Sequence, residues 1–161
     1  MGTSVASRIC FVCAGNICRS PTAEGVMRAL AKKRGLDLHV QSAGTTDYHV
    51  GEAPDGRSCQ AAAARGYALD GRAQHFTHAL FDRFDLVVAM DAANLRALQK
   101  LARSEVDRQK LRLLRDYDAA SPKGADVPDP YYGGAAGFDH VLELCEQACT
   151  AMLDALSEGR G

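Results

Sequence analysis

Short apolar runs alternate along the chain with longer segments whose apolar residues recur at helical spacing. The runs that predict buried strands cover residues 8–13, 38–44, 85–90 and 111–114. Helical patterns begin near residues 20, 55 and 94, and a long closing pattern covers 138–156. This alternation predicts an α/β fold with a four-stranded parallel sheet and helices on both faces. Such sheets bind ligands beyond the carboxyl ends of their strands.

Length and composition set the domain count and exclude several classes of partner. The chain has 161 residues, 47% of them hydrophobic, which predicts one domain over 1–161 with a flexible tail at 1–6. With 19 basic and 20 acidic residues, the net charge offers no field to attract nucleic acid or an anionic membrane. Neither a signal peptide nor a run of roughly 20 apolar residues is evident, so we expect a cytoplasmic protein.

The six cysteines do not have the spacing of a disulfide framework or a metal site. Cys145 and Cys149 lie one helical turn apart among apolar residues, which predicts core positions. Cys10 lies inside the first apolar run, and no His or Cys pair follows Cys13 and Cys18 to complete a zinc site. We therefore expect reduced thiols and no metal.

Residues 13–19, here called the phosphate loop, combine a cysteine, a compact backbone and a fixed cation. A helix that starts near Ser20 directs its free N–H groups and the positive end of its dipole into this loop, which favours anion binding. We expect Gly15 to turn successive N–H groups inward and Asn16 to brace the loop. Arg19 supplies a planar fork for two phosphate oxygens. The remaining predicted contributors to phosphate binding are Ala14, Ile17 and Cys18.

Cys13 is the predicted nucleophile, because these N–H donors and the guanidinium favour its thiolate form. We expect Ser20 to donate a hydrogen bond to that sulfur and to help it leave when a phosphocysteine intermediate breaks down.

A thiolate that attacks a phosphate ester needs a proton donor for the leaving oxygen. Asp129 lies between two prolines in "PDPYY", where Pro130 favours an extended backbone. We expect it to act first as general acid and then as general base for the hydrolytic water. Tyr131 and Tyr132, with Tyr48 from an earlier loop, are predicted to line a slot for a flat ring.

These segments resemble the low-molecular-weight protein tyrosine phosphatases. The resemblance covers "VCAGNICRSPTAEG", "SAGTTDYHVGEAPD", "FDLVVAMDAANL" and "VPDPYYGG", in order along the chain. It implies the same roles for Cys13, Arg19, Asp129 and Ser20, and it links Asn16 to Ser42. It also implies that no metal or cofactor is needed, and that the enzyme hydrolyses phosphotyrosine in proteins and small aryl phosphates through phosphocysteine.

The resemblance further implies partners and a redox response. Tyrosine-phosphorylated proteins are the expected partners, with inorganic phosphate or other oxyanions as product or inhibitors, and with no nucleic acid or membrane. A monomer or weak homodimer is expected, since exposed Tyr131 and Tyr132 could also mediate self-association. Cys18 matches a loop cysteine that can form a disulfide with the nucleophile under peroxide, and a second thiol near a sulfenic acid can resolve it.

Two features of the chain depart from the family pattern. Many members carry a loop-supporting histidine where this chain has Gly71 and Arg72, and His75 comes later, so a third member of the loop network is not predicted. Tyr48 stands where some relatives have tryptophan, which changes the size of the slot.

Three alternative functions remain open. Arsenate reductases share the loop but need a further cysteine pair, and this chain has no cysteine between 59 and 145. Protein-arginine phosphatases carry a threonine where Ile17 stands, and the apolar isoleucine favours an aromatic substrate. The alternative of another class is a module that binds a phosphorylated ligand without turnover, although binding alone requires neither Cys13 nor Asp129.

Overall fold

The computed structural model describes residues 7–161, and the predicted tail over 1–6 lies outside the described residues. The sheet consists of β1 (Arg8–Cys13), β2 (His39–Gly44), β3 (Leu86–Ala89) and β4 (Leu111–Leu113). All neighbouring strands pair in parallel, and their spatial order is β2-β1-β3-β4. The predicted α/β class and four-stranded parallel sheet are therefore confirmed.

The described residues form five α-helices around this sheet. They are α1 (Arg19–Lys33), α2 (Gly56–Ala64), α3 (Ala92–Leu101), α4 (Glu105–Gln109) and α5 (Ala135–Ser157). Helix α4 and two 3₁₀ helices, His78–Arg83 and Leu114–Tyr117, were not predicted, because elements this short carry too few apolar positions to show a period. Helix α5 begins three residues before the predicted start, since its first residues are small and add nothing to the apolar stripe.

Strand β1 is buried on both of its faces, which explains why its sequence shows no alternation. Ile9 and Phe11 join a core cluster with residues of α1 and α5, including Cys145 and Cys149. The alternate residues of the strand enter a second cluster with residues of β3, α3 and the first 3₁₀ helix. Helices therefore cover both faces, and the two cysteines are core residues as predicted.

The strand order places a crevice at the carboxyl end of β1. The chain passes from β1 to β2 on one side and later to β3 on the other, so the connections after β1 and β3 leave in opposite directions. Ligands of open α/β sheets bind at this kind of switch point. Cys13 ends β1 there, and Asp91 follows β3 at the same edge. None of the helices within residues 7–161 is long and apolar enough to cross a bilayer.

Candidate active site

The phosphate loop turns tightly between the end of β1 and the start of α1. Its left-handed residue is Asn16, with φ 57°, so the expectation that Gly15 makes the turn was wrong. This conformation directs the Asn16 backbone N–H to the Cys13 sulfur, at 3.2 Å. Gly15 instead leaves room for the His49 ring, which a Cβ at this position would approach to 2.9 Å. The loop thus has a donor aimed at its own sulfur.

The Ser20 side chain contacts the Cys13 sulfur from inside the protein, and the Asn16 side chain contacts Ser20. The Ser20 hydroxyl lies 3.0 Å from Cys13 Sγ, in the first turn of α1 rather than at its cap. Asn16 Nδ2 donates to the Ser20 oxygen at 2.8 Å, which leaves the Ser20 proton for the sulfur, at 3.0 Å, or for the more distant Ala43 carbonyl, at 3.5 Å. Asn16 and Ser20 were predicted to bind the substrate. Both side chains are instead buried behind the loop and support it, and neither lines the substrate cavity.

A hydrogen-bond network continues from Asn16 into the protein. Its Nδ2 also donates to Ser42 Oγ at 2.9 Å, and Ser42 donates to a Glu24 carboxylate oxygen at 2.5 Å. The Gln74 backbone N–H donates to Asn16 Oδ1 at 2.9 Å, which satisfies the whole Asn16 amide. The sequence predicted no third member of the loop network, and the structure adds two, Glu24 and Gln74. His75 lies outside the network and faces the Thr45 carbonyl.

A cavity of about 190 Å³ lies beside this network, lined by Glu24, Arg28, Ser42 and Gln74 among others. Glu24 is 8% exposed, and burial raises the pKa of its carboxyl, against the lowering effects of the Ser42 hydrogen bond and the Arg28 charge. Arg28 lies 2.5 Å from the second Glu24 oxygen. The ionised carboxylate accepts the Ser42 proton, which leaves the Ser42 oxygen to accept from Asn16 Nδ2.

Arg19 is held rigidly at the opposite side of the loop. Its side chain is 5% exposed, and Nη1 donates to Asp91 Oδ2 at 2.6 Å and to the Val127 carbonyl at 3.0 Å. Burial lowers the pKa of Arg19, but the Cys13 charge and the Asp91 carboxylate outweigh it, so the net pKa is raised. Asp91 also caps α3 by accepting from Asn94 N–H at 2.7 Å. This fixes the fork with its remaining donors available to an anion.

Asp129 lies above the loop on residues 126–134, here called the acid loop. Its Oδ2 is 3.9 Å from Arg19 Nη2, and its Oδ1 accepts from the Tyr131 backbone N–H at 3.0 Å. The side chain is 52% exposed, which leaves it accessible to a leaving group. Backbone pairing of Val127 with Met90, just after β3, attaches the start of the acid loop to the sheet.

The substrate cavity, of about 390 Å³, brings most of the predicted site residues together. It is lined by Cys13, Ala14, Gly15, Ile17, Cys18, Arg19, Thr46, Tyr48, His49, Asp129, Tyr131 and Tyr132. Tyr48 is 81% and Tyr132 is 94% exposed, whereas Tyr131 packs edge-on against Tyr132 with ring centroids 5.0 Å apart. The aromatic side chains therefore form the outer rim, above the sulfur and the guanidinium.

Cys18 lies under the same loop and is buried. Burial, with a smaller contribution from the Asp55 charge, raises the pKa of its thiol to about 12, although the Ser58 hydrogen bond opposes this. Cys18 is therefore a neutral thiol at physiological pH, while all six cysteines are free. Within residues 7–161, no group of three or more His, Cys, Asp or Glu side chains could hold a metal ion.

Sequence reasoning missed five residues of the site, one of which is Thr46 at the substrate cavity. The other four are Glu24, His49, Gln74 and Asp91. A usable signal existed for Asp91 alone, because a carboxylate just after a buried strand and before a helix is placed at the ligand edge of the sheet.

Comparisons with known proteins agree on one family. Residues 8–160 match the family described as low molecular weight phosphotyrosine protein phosphatase. A low molecular weight protein-tyrosine-phosphatase of Streptomyces coelicolor is 52% identical over 94% of each chain. The crystal structure of a protein tyrosine phosphatase from Entamoeba histolytica, with Hepes in its active site, superimposes with a TM-score of 0.92, at 36% identity over 96% of this chain and 99% of that one. A Drosophila arginine phosphatase gives 0.84, at 31% identity over 91% and 95%.

Proposed function

The chain belongs to the low molecular weight phosphotyrosine protein phosphatase family, and we propose that it hydrolyses phosphotyrosine in proteins with Cys13 as the nucleophile. It is a cysteine-dependent protein-tyrosine phosphatase. One observation carries the assignment of its residues: the Cys13 sulfur accepts the Asn16 N–H and contacts Ser20, in a cavity that Arg19 and Asp129 also line.

In the first step, the Cys13 thiolate attacks phosphorus while the ester P–O bond breaks. The Arg19 fork and the loop N–H groups bind the equatorial oxygens, where charge is concentrated in the transition state. Asp129 donates its proton to the departing phenolate oxygen. The products of this step are a phosphocysteine and a free tyrosine side chain.

In the second step, water attacks the phosphocysteine and Asp129, now a carboxylate, accepts a proton from it. The S–P bond breaks and the electron pair stays on sulfur. The Asn16 N–H and the Ser20 hydroxyl stabilise the thiolate that forms. Inorganic phosphate then leaves, which makes it a product and a competitive inhibitor.

The side chains around the substrate cavity favour an aryl ester. Tyr48, Tyr131 and Tyr132 at the rim supply surfaces on which a flat ring can stack, and Ile17 adds an apolar side chain to the loop. A long phenyl ester reaches the sulfur past this rim. Tyrosine-phosphorylated proteins are accordingly the proposed partners, in preference to phosphoarginine proteins.

The test compares wild type with Cys13→Ser on three substrates: p-nitrophenyl phosphate, a phosphotyrosine peptide and the matched phosphoarginine peptide. We expect Cys13→Ser to lose roughly 10³-fold or more in kcat. Cys59→Ser, which changes a half-buried thiol outside the loop, should retain activity. Equal rates for wild type and Cys13→Ser would exclude this nucleophile, and faster hydrolysis of the phosphoarginine peptide would reverse the substrate assignment.

A further inference from the structure

Arg57 lies in the first turn of α2 and does not line the substrate cavity, yet it contacts the acid loop directly. Its Nη1 donates to the Tyr131 carbonyl at 3.0 Å. Its guanidinium carbon also lies 5.3 Å from the centroid of the Tyr131 ring and 4.5 Å from that of Phe138, at the start of α5. One side chain therefore holds both the backbone and the ring of a residue two positions after Asp129.

The other end of this connection reaches the phosphate loop. The Asp55 carboxylate accepts from Arg57 Nε at 3.1 Å and from Nη2 at 2.9 Å. The Asp55 backbone N–H in turn donates to the Ile17 carbonyl at 2.7 Å. The Arg57 hydrogen bond lowers the pKa of Asp55, so the pair stays ionised through the neutral range.

From these contacts we propose that Arg57 is a positioning residue that fixes Asp129 relative to the phosphate loop. The connection is continuous: Ile17, Asp55, Arg57 and Tyr131, whose N–H donates to Asp129 Oδ1. The inference rests on the proposed function, in which Asp129 is the proton donor.

The geometry distinguishes this arrangement from an ordinary surface ion pair. Asp55 caps α2 by accepting from the Arg57 backbone N–H at 2.8 Å, and an ion pair between their side chains alone, with Arg57 44% exposed, would contribute little. Here the planar fork bonds Asp55 along one edge, reaches a backbone carbonyl of another loop and stacks on two rings. A lysine could replace the charge but not these simultaneous contacts.

Arg65 offers a matched comparison at the end of the same helix. It pairs with Glu146 of α5 at 2.5 Å, which also joins α2 to another element, but without contact to the acid loop. Removal of Arg65 therefore reports what losing a surface arginine of α2 does by itself.

The experiment measures kcat/KM of Arg57→Gln, Arg57→Lys and Arg65→Gln on p-nitrophenyl phosphate, whose leaving group needs little protonation, and on phenyl phosphate, which needs it. A displaced proton donor should cost about 10-fold on phenyl phosphate and less than about 3-fold on p-nitrophenyl phosphate. Arg57→Lys should lie between wild type and Arg57→Gln, and Arg65→Gln should match wild type. Inhibition by inorganic phosphate should stay unchanged, because the oxyanion donors are not altered.

The double variant with Asp129→Asn tests the route of the effect. With the proton donor already removed, Arg57→Gln should cause no further loss on phenyl phosphate. Three outcomes would overturn the role of Arg57 while leaving Asp129 as the acid. The double variant could lose further activity on phenyl phosphate, or Arg57→Gln alone could lose equally on both esters or keep the wild-type ratio of kcat/KM between them. If Asp129→Asn loses no more kcat/KM on phenyl phosphate than on p-nitrophenyl phosphate, Asp129 is not the acid, and the proposed role of Arg57 fails with it. Should Arg57→Gln be unfolded by circular dichroism, Arg57→Lys decides by the same criteria.

Discussion

Ser42 donates a hydrogen bond to the buried carboxylate of Glu24 at 2.5 Å, at the far end of the network that begins at the Cys13 sulfur. The hydroxyl has one proton, so giving it to Glu24 leaves its lone pairs to accept from Asn16. The carboxylate thereby helps to orient Asn16, which contacts Cys13, although Glu24 does not line the substrate cavity. Burial of this carboxylate also lowers the free energy of unfolding by an amount that depends on pH.

Glu24→Gln should reveal this cost in the pH dependence of stability. Because the pKa of Glu24 is raised in the folded protein, its favourable contribution is fully present below the unfolded pKa of about 4.3 and is lost as pH rises through the folded value. The free energy of unfolding of wild type should therefore fall relative to Glu24→Gln as pH increases from about 4 towards neutrality.

Urea denaturation of both proteins across this range gives the comparison, and Glu105→Gln, at an exposed glutamate, corrects for the change in net charge. A wild type that gains stability relative to Glu24→Gln with rising pH would contradict the sign.

Removal of the Asp91 carboxylate should loosen the Arg19 fork. Asp91→Ala leaves Nη1 with only the Val127 carbonyl, and we expect kcat/KM on p-nitrophenyl phosphate to fall about 10-fold or more, since catalytic groups must hold their orientation closely. Asp91→Asn, which keeps an acceptor, should lose less. Asp82→Asn removes an exposed partner of Arg103 and is the control. Activity of Asp91→Ala within twofold of wild type would show that Arg19 is oriented by other contacts.

Peroxide treatment should join Cys13 to Cys18. Peroxide oxidises the Cys13 sulfur to a sulfenic acid; Cys18 then attacks that sulfur as it gives up its proton, the S–S bond forms, and the proton leaves with the displaced hydroxide as water. Thiol mapping by mass spectrometry should find this bond. A reducing agent should then restore activity. In Cys18→Ser, Cys13 should instead proceed to irreversible oxidation, whereas Cys59→Ser should behave as wild type. Overoxidised Cys13 beside an unmodified Cys18 in wild type would exclude the disulfide.

A side chain at Gly44 should disturb the phosphate loop from the neighbouring strand. A Cβ there would lie 2.7 Å from the Ala14 carbonyl oxygen and 3.3 Å from Asn16 Cβ, and the backbone cannot yield easily. Gly44→Ala should lower the free energy of unfolding by about 1–3 kcal/mol and reduce kcat. Gly56→Ala, which meets nothing within 4 Å, is the control in thermal unfolding. Equal stability of wild type and Gly44→Ala would mean that the loop relaxes freely.

The elements that could be predicted from the sequence are those specified by residues close together in the chain. An apolar run, a compact loop and a helical repeat sufficed for β1, the phosphate loop and α1, because each is specified by neighbouring residues. Asp91 meets Arg19 across 72 positions of sequence, and only the pairing of β1 with β3 brings them together.

Gln74 and Glu24 were hidden for two other reasons. Gln74 reaches Asn16 through its backbone N–H, which any residue but proline could supply, so its side chain carries no signal. Glu24 on α1 has the sequence appearance of a solvated helix position, and only the tertiary structure buries it beside Ser42.

The central place of β1 has a consequence for how the enzyme fails. Edge elements such as β4 and the ends of α5 can fray at little cost, whereas the strand that ends in Cys13 is enclosed by neighbours on both sides and both faces. Its amides should be among the slowest to exchange with deuterium, and opening them requires the whole domain to come apart. Heating should therefore leave Cys13 at the end of an intact β1 until the domain melts cooperatively.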